Sequence, residues 1–205
     1  MFTWYNRALA KRPILVQCIT TAFLFGTGDV IAQQVVERKG LKSHEMTRTL
    51  RMAGFGGLFA GPVLSNWYRF VELNIKGATP VTTLLKKVAA DQFLCAPIFI
   101  GVFFSAQGLL EGKSVGQIQE KLENGYTTAV LANYKIWPAV QLINFYFTPL
   151  NYRLMVTNVV SLGWNAYLSL VNQRSSASVT EDLKVDHVVV ENTIATPADD
   201  LQQAA

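Results

Sequence analysis

Two carboxylates sit inside apolar runs of this chain, and each is followed by an amide that could share its work. Asp29 lies in Gly26-Thr27-Gly28-Asp29-Val30-Ile31-Ala32-Gln33, where a spacing of four puts Asp29 and Gln33 on one helix face. A charge at that depth of a membrane helix costs roughly 2.5 to 3.5 kcal/mol on insertion scales, so an acid kept there is a functional candidate by default. Two roles fit it: a polar lining for an aqueous path, or an ion pair with Arg51, Lys87 or Arg153 from a neighbouring helix. Asp91-Gln92 is the second acid with an amide, and Lys87, four residues earlier, is spaced for an ordinary helical salt bridge. Gln141 and Asn144 lie three apart on one face, and Arg153 opens the last apolar run, where it can snorkel to headgroups or meet an acid. Asp29, Gln33, Asp91, Gln92, Gln141, Asn144 and Arg153 are therefore the pore-lining or helix-pairing candidates.

Catalytic readings find less support. Gly26 to Asp29 matches the GxGD string of intramembrane aspartyl proteases, with Asp91 as a second aspartate, but the string is four residues long and half of it is glycine. No Tyr-Asp pair stands in another apolar run, and Pro138-Ala139-Val140 only approximates the accompanying Pro-Ala-Leu. His44 and His187 have no companion cysteines or spaced carboxylates for zinc or a triad, and no glycine loop precedes a lysine to cradle phosphate. The expectation is no catalytic residue, no metal and no cofactor.

The elements that must hold these residues are long apolar helices. Pro13 to Val36 is 24 residues broken only by Asp29, with Pro13 suited to the first helical turn. Met52 to Tyr68 is uncharged, and Ala53, Gly57, Gly61 and Ser65 form a stripe of small side chains that lets another helix pack closely. Thr79-Pro80 opens a helix that carries Lys86 and Lys87, then Asp91-Gln92, and stays uncharged to Leu110, with a kink expected at Pro97. Ser114 with Gln117 forms a capping box for an amphipathic helix bearing Val115, Ile118, Leu122, Tyr126 and Ala129 on one face, expected to lie at the interface. Ile136 to Tyr152 is uncharged but rich in proline and amides, so other helices or water must cover it. Leu154 to Gln173 then supplies 20 uncharged residues. Tyr134, Trp137, Trp164 and Tyr167 suit interfacial belts.

The expected fold is therefore all-α, a polytopic membrane protein. A four-transmembrane-helix bundle fills residues 1–173, with spans near 13–36, 52–70, 91–110 and 152–173 and a polar-aromatic helical segment at 136–151. Short amphipathic interfacial helices accompany it, among them one in the first 12 residues with Phe2, Tyr5 and Leu9 at spacings of three and four beside Arg7, Lys11 and Arg12 and no acid, a segment that also suits mitochondrial targeting. Four crossings would put both termini on one side. Residues 174–205 hold 2 basic and 6 acidic side chains and no aromatic, so the tail is expected to be disordered. Half of all residues are hydrophobic and only 16% charged, well under the soluble norm of about 25%. Residues 1–173 carry a net charge of +8, which suits anionic lipid headgroups, and no nucleic-acid-binding motif appears. Cys18 and Cys95 each fall in an apolar run and are read as free thiols.

Several strings together resemble the Mpv-seventeen and peroxisomal-membrane-protein family. They are Trp4 to Pro13, Gly28-Asp29 with Ala32-Gln33, Arg48 and Arg51, Gly61-Pro62 with Trp67-Tyr68, Lys87 with Asp91-Gln92, and Ala96-Pro97. The most specific is Trp137-Pro138, Gln141, Asn144-Phe145, Pro149 and Arg153, followed by Trp164-Asn165 and Tyr167-Leu168-Ser169. The likeness covers about residues 4 to 170 and is greatest to a fungal stress-inducible member; the long acidic tail departs from the compact family pattern. The resemblance implies a four-helix protein of the mitochondrial inner membrane, with the peroxisomal membrane as the alternative. It implies a weakly selective channel for small solutes, linked to stress tolerance and, indirectly, to mitochondrial DNA maintenance. Expected partners are membrane lipids, small solutes, and a second copy or membrane complex, with no direct contact to nucleic acid. A non-transporting scaffold is the competing expectation.

Overall fold

A computed structural model describes residues 3–164 of the 205, so the acidic tail and the 165–173 part of the last expected span lie outside the described residues. All regular structure among the described residues is helical. Helix α1 (Thr3–Lys11) turns at Arg12 into α2, which runs Pro13–Ile31 and continues through a π turn, Ala32–Val36. Helix α3 spans 46–74 as two α-helical halves, Met46–Phe55 and Gly61–Asn74, joined by a π turn at Gly56–Ala60. Helix α4 spans Pro80–Leu110, with a π turn at Asp91–Cys95. Helix α5 is Val115–Phe147, and α6 begins at 150 and is described to 164.

Local chemistry accounts for the ends and the irregularities. Thr79 and Ser114 each accept from the backbone N–H three residues on, and Thr82 and Gln117 answer with their side chains, so both expected capping boxes form. Pro62 and Pro97 have no N–H to offer the fourth residue back. Just ahead of each, the chain widens by one residue, and the N–H groups of Gly61 and Ala96 reach the carbonyls of Gly56 and Asp91, five residues back. The kink expected at Pro97 is thus a π turn on its N-terminal side. Pro138 leaves α5 unbroken.

Consecutive helices pack antiparallel. Along α2 and α3 the close pairs are Gly26/Ala53, Ala22/Gly57 and Cys18/Gly61. A Cβ built on Gly57 would stand 2.9 Å from that of Ala22, and one on Gly61 would stand 2.8 Å from the Cys18 Cα. The small-residue stripe is therefore filled by α2 of the same chain. Between α3 and α4, Phe55 meets Phe103 and Phe59 meets Phe99, while Tyr126 and Ile118 of α5 cover Gly101 and Gly108 of α4. Helix α6 returns beside α5, with Trp137 edge-on to Trp164 at 6.4 Å, and also contacts α2, where Asn158 donates to Thr21 Oγ1 at 2.8 Å.

Two expectations change. The amphipathic segment after Ser114 does not lie apart on the surface, and 136–151 is not a separate element. The amphipathic segment and 136–147 are one 33-residue helix, α5, whose face with Ile118 and Tyr126 packs along α4, and 148–151 turns into α6. Trp137 is buried in the bundle rather than set in an interfacial belt, because Trp164 and the aromatic side of α4 cover it.

The solvent pattern is inverted relative to a water-soluble domain. Phe23, Leu58, Phe93 and Phe147 are each more than two-thirds exposed, while Asp29, Gln33, Asp91, Gln92, Gln141, Asn144 and Arg153 are all buried. A surface so apolar around so polar an interior is what hydrocarbon solvent selects. Helices α2 and α4 are long and apolar enough to cross a membrane, and most of the α4 surface faces outward. The small apolar core, Tyr68, Val71, Val88, Phe145 and Leu154, sits toward the end where α3 meets α4 and α5 meets α6.

Candidate functional site

Most of the buried polar groups among the described residues fall into two networks, one beside the α2–α3 connection and one running from the opposite end into the bundle interior. The first is organised by Asp29. Its Oδ1 takes Arg48 Nε at 2.7 Å, and its Oδ2 accepts from Gln33 Nε2 at 2.7 Å and Thr49 Oγ1 at 2.6 Å. The cation is therefore Arg48, and not Arg51, Lys87 or Arg153. The antiparallel register of α2 and α3 brings position 29 beside 50 and so points Arg48 inward, while Arg51 turns to the carbonyl of Leu110 at 3.3 Å. Arg48 then forks onto both oxygens of Glu37, at 2.8 and 3.0 Å, and Lys39 bridges Glu37 to Glu45. The hydrogen bond from Arg48 is the largest of the effects that hold the Glu37 carboxyl below its ordinary range. Gln33 closes the connection by accepting from the Glu45 N–H at 2.7 Å.

His44 is part of the same lock. Thr49 has one hydroxyl proton and gives it to Asp29, so at 3.0 Å it accepts from His44 Nε2, while His44 Nδ1 accepts from Gln34 Nε2 at 3.0 Å. That assigns the neutral Nε2–H tautomer.

The second network runs through the bundle interior. Asp91 accepts from the Trp67 indole at 2.9 Å and from Gln92 Nε2 at 2.8 Å, and Gln92 Oε1 accepts from Asn133 at 3.0 Å. Gln141 donates to Tyr68 Oη at 2.9 Å, which lies 2.7 Å from Thr157 Oγ1. Asn144 Nδ2 has Gln141 Oε1, Thr157 Oγ1 and the Arg153 carbonyl at 3.1 to 3.2 Å. The expected Lys87–Asp91 bridge is absent among the described residues. Lys87 Nζ instead reaches across to Glu72 Oε2 at 2.6 Å, and Arg153 Nη1 meets the same oxygen at 2.6 Å. Burial pushes the Glu72 carboxyl up, but hydrogen bonds from Lys87 and Arg153 outweigh it and leave it below the ordinary range. Among the described residues, Asp29 thus has a cation, while Asp91 has only neutral donors.

A cavity of about 190 Å³ opens where all five long helices converge. Phe25, Phe99, Phe103, Phe104, Trp137 and Trp164 form most of its wall, and its polar contributors are Asn133 and Ser161. None of the candidates named from sequence lies on that wall; Gln92 stands behind Asn133, one hydrogen bond away. Asp29 and Gln33 come together, as do Asp91 with Gln92 and Gln141 with Asn144 and Arg153. Arg48, Thr49, Trp67, Tyr68, Glu72, Lys87, Asn133 and Thr157 complete the networks. Arg48, Trp67, Tyr68 and Lys87 belong to strings that carried the family resemblance, whereas Glu72, Asn133 and Thr157 had no local signal. An aspartyl dyad needs two carboxylates close enough to share a proton, and Asp29 and Asp91 share no partner. Among the described residues, no three His, Cys, Asp or Glu side chains gather as a metal site.

The model of the Mpv17 / PMP22 family matches residues 108–169. Protein sym-1 of Neurospora crassa is 47% identical over 174 residues, covering 84% of this chain and 99% of the relative. Protein SYM1 of Gibberella zeae is 47% identical over 173 residues, covering 83% and 97%. The mitochondrial inner membrane protein Mpv17 of Rattus norvegicus is 48% identical over 165 residues, covering 80% and 93%. No solved structure matches the chain.

Proposed function

The chain belongs to the Mpv17 / PMP22 family and is a protein of the mitochondrial inner membrane, and from that premise we propose that it forms a small-solute channel there. The observation that carries the reading is the interior row of hydrogen-bonded polar side chains from Glu72 and Arg153 through Asn144, Thr157, Tyr68 and Gln141. A second set, Asp91, Gln92 and Asn133, continues it to the aromatic cavity. Polar groups at bilayer depth mark solute pathways when they face a bundle interior. In this reading α5 is a fifth crossing, added to the four expected from sequence. Helix α5 is 33 residues, or about 50 Å at 1.5 Å per residue, and packed along α4 it shares the depth of that helix. Stress tolerance and mitochondrial DNA maintenance then follow indirectly, through solute supply.

Of the two interior acids, Asp91 is the one placed to set selectivity, since Arg48 neutralises Asp29. Purified protein in planar bilayers is expected to conduct. Asp91→Asn should move the reversal potential in a salt gradient toward the anion limit, and Asp29→Asn should move it less. A folded wild type that stays electrically silent refutes the channel. One observation favours a scaffold in that event: nearly all buried polar atoms already satisfy one another, the exceptions among the described residues being Gln107 Nε2 and Asn144 Oδ1.

A further inference from the structure

Two buried cations converge on a single carboxylate oxygen where the α3–α4 and α5–α6 connections come together. Lys87 Nζ and Arg153 Nη1 are both 2.6 Å from Glu72 Oε2. Arg153 does not depend on Glu72 for its position. Its Nε donates to the Thr148 carbonyl at 3.1 Å, its Nη2 donates to the Phe145 carbonyl at 3.5 Å, and its guanidinium lies 5.1 Å from the centre of the Phe145 ring. Only Nη1 is turned to the carboxylate. The side chains of Arg153 and Lys87 are 7% and 11% exposed, against 35% for Glu72. The cations are therefore built into the bundle, and the anion is the member that reaches solvent.

Among the described residues, the charge count leaves this cluster short of an anion. Two cations share one carboxylate, and Arg7, Lys11, Arg12, Arg69, Lys76 and Lys86 stand toward the same end of the bundle. Such a field concentrates anions at the mouth. Glu72 is the exposed member of the cluster, so its side chain can swing toward solvent. Stripping a buried cation of its partner is costly, so whatever replaces Glu72 must be an anion.

We propose that Lys87 and Arg153 form an anion-binding site for a phosphate or carboxylate group, which Glu72 occupies until a ligand oxygen displaces it. Two charge-assisted donors fixed on one point match a single ligand oxygen. The ligand group can belong to a free solute or to an anionic lipid headgroup, because both present the same oxygens. The site does not require conduction, so it stands or falls separately from the channel.

The test is thermal unfolding of purified protein in detergent, titrated with inorganic phosphate at constant ionic strength, for wild type, Glu72→Ala, Glu72→Gln and Glu72→Ala/Lys87→Gln. A ligand that binds only the folded state raises Tm saturably. Glu72→Ala vacates the site, so it should be stabilised by phosphate with an apparent affinity about tenfold tighter than wild type, whose tethered carboxylate competes. Glu72→Gln removes the same charge but keeps an acceptor between the cations, so it should respond more weakly than Glu72→Ala. The double variant should lose the response. A second arm replaces phosphate with phosphatidylglycerol in mixed micelles; stabilisation there alone assigns the site to a lipid headgroup. Equal responses from Glu72→Ala and Glu72→Gln, or a response that survives Lys87→Gln, would reduce the effect to general charge and overturn the proposal. Should Glu72→Ala not accumulate as folded protein, wild type against Lys87→Gln decides, with the site refuted if phosphate and lipid both fail to separate them.

Discussion

Replacing Gly61 by alanine should separate α2 from α3, and the size of the effect can be worked from the contact itself. The added Cβ would stand 2.8 Å from the Cys18 Cα and 3.2 Å from its Sγ. Carbon atoms prefer about 3.5 to 4.0 Å, so the helices must part by roughly 1 Å at this level. No rotamer change relieves it, since the nearest atom is backbone. Overpacking of this kind costs about 1 to 3 kcal/mol. Alanine also gains about 1 kcal/mol over glycine in helix propensity, which must be removed from the comparison. Gly54 supplies the control: it lies in the same helix, and a Cβ there meets nothing within 4 Å. The difference between Gly61→Ala and Gly54→Ala is then the packing term alone. At about 2 to 4 °C per kcal/mol for a chain of this size, Gly61→Ala should unfold about 2 to 12 °C below Gly54→Ala. Thermal unfolding in detergent, followed by tryptophan fluorescence, measures the gap. If the two variants melted together, the register of α2 on α3 would be wrong, and with it the pairing of Asp29 with Arg48.

Further consequences concern charge and topology. Arg48→Gln should destabilise the fold more than Asp29→Asn: the first leaves a buried carboxylate with neutral donors only, the second leaves a guanidinium one-third exposed and still paired with Glu37. The reverse order of melting temperatures would contradict the Asp29 network. Glu37 and Glu72 have carboxyls held below their ordinary range, so between the folded and unfolded values the unfolded chain binds more protons. Their contribution is present above about pH 4.3, the unfolded glutamate value, and is lost as pH falls through the lower folded value. A Glu37→Gln/Glu72→Gln variant should show a flatter acid limb in Tm against pH, and an unchanged slope would exclude these residues as its source. For topology, Cys18→Ala/Cys95→Ala protein carrying Lys113→Cys or Thr148→Cys should label with an impermeant thiol reagent from opposite faces of mitoplasts or vesicles. Labelling from one face would return α5 to the interface and the count to four.

How much was legible in advance differs by element. The helix starts at Pro13, Thr79-Pro80 and Ser114 were readable because caps and proline act within one turn of chain. The small-residue stripe at 53, 57, 61 and 65 was readable because a four-residue period needs no partner to be seen. Its partner was not. Once α2 is laid against it with 26 opposite 53 and 18 opposite 61, Arg48 follows as the cation nearest Asp29, but that register is a property of two helices. Lys87 is the clearest failure of local reasoning: Asp91 was four residues away and correctly spaced, yet a carboxylate fifteen residues back in the chain took the ammonium. Inside the bundle an ion pair forms where two charges can lose water together, and helical spacing on an outward surface does not decide that.

Sequence by itself determined that the protein is helical, bound to a membrane, and burdened with acids and amides inside apolar runs, because composition and periodicity express what each segment must avoid. Which cation meets Asp29, why Asp91 has none, how Asn133 comes to edge an aromatic cavity, and that α5 is one long helix against α4 were decided only when five helices were brought together. Hydrogen bonds and ion pairs reach about 3 Å, and at that range the neighbours are chosen by the rotation and register of packed helices rather than by order along the chain.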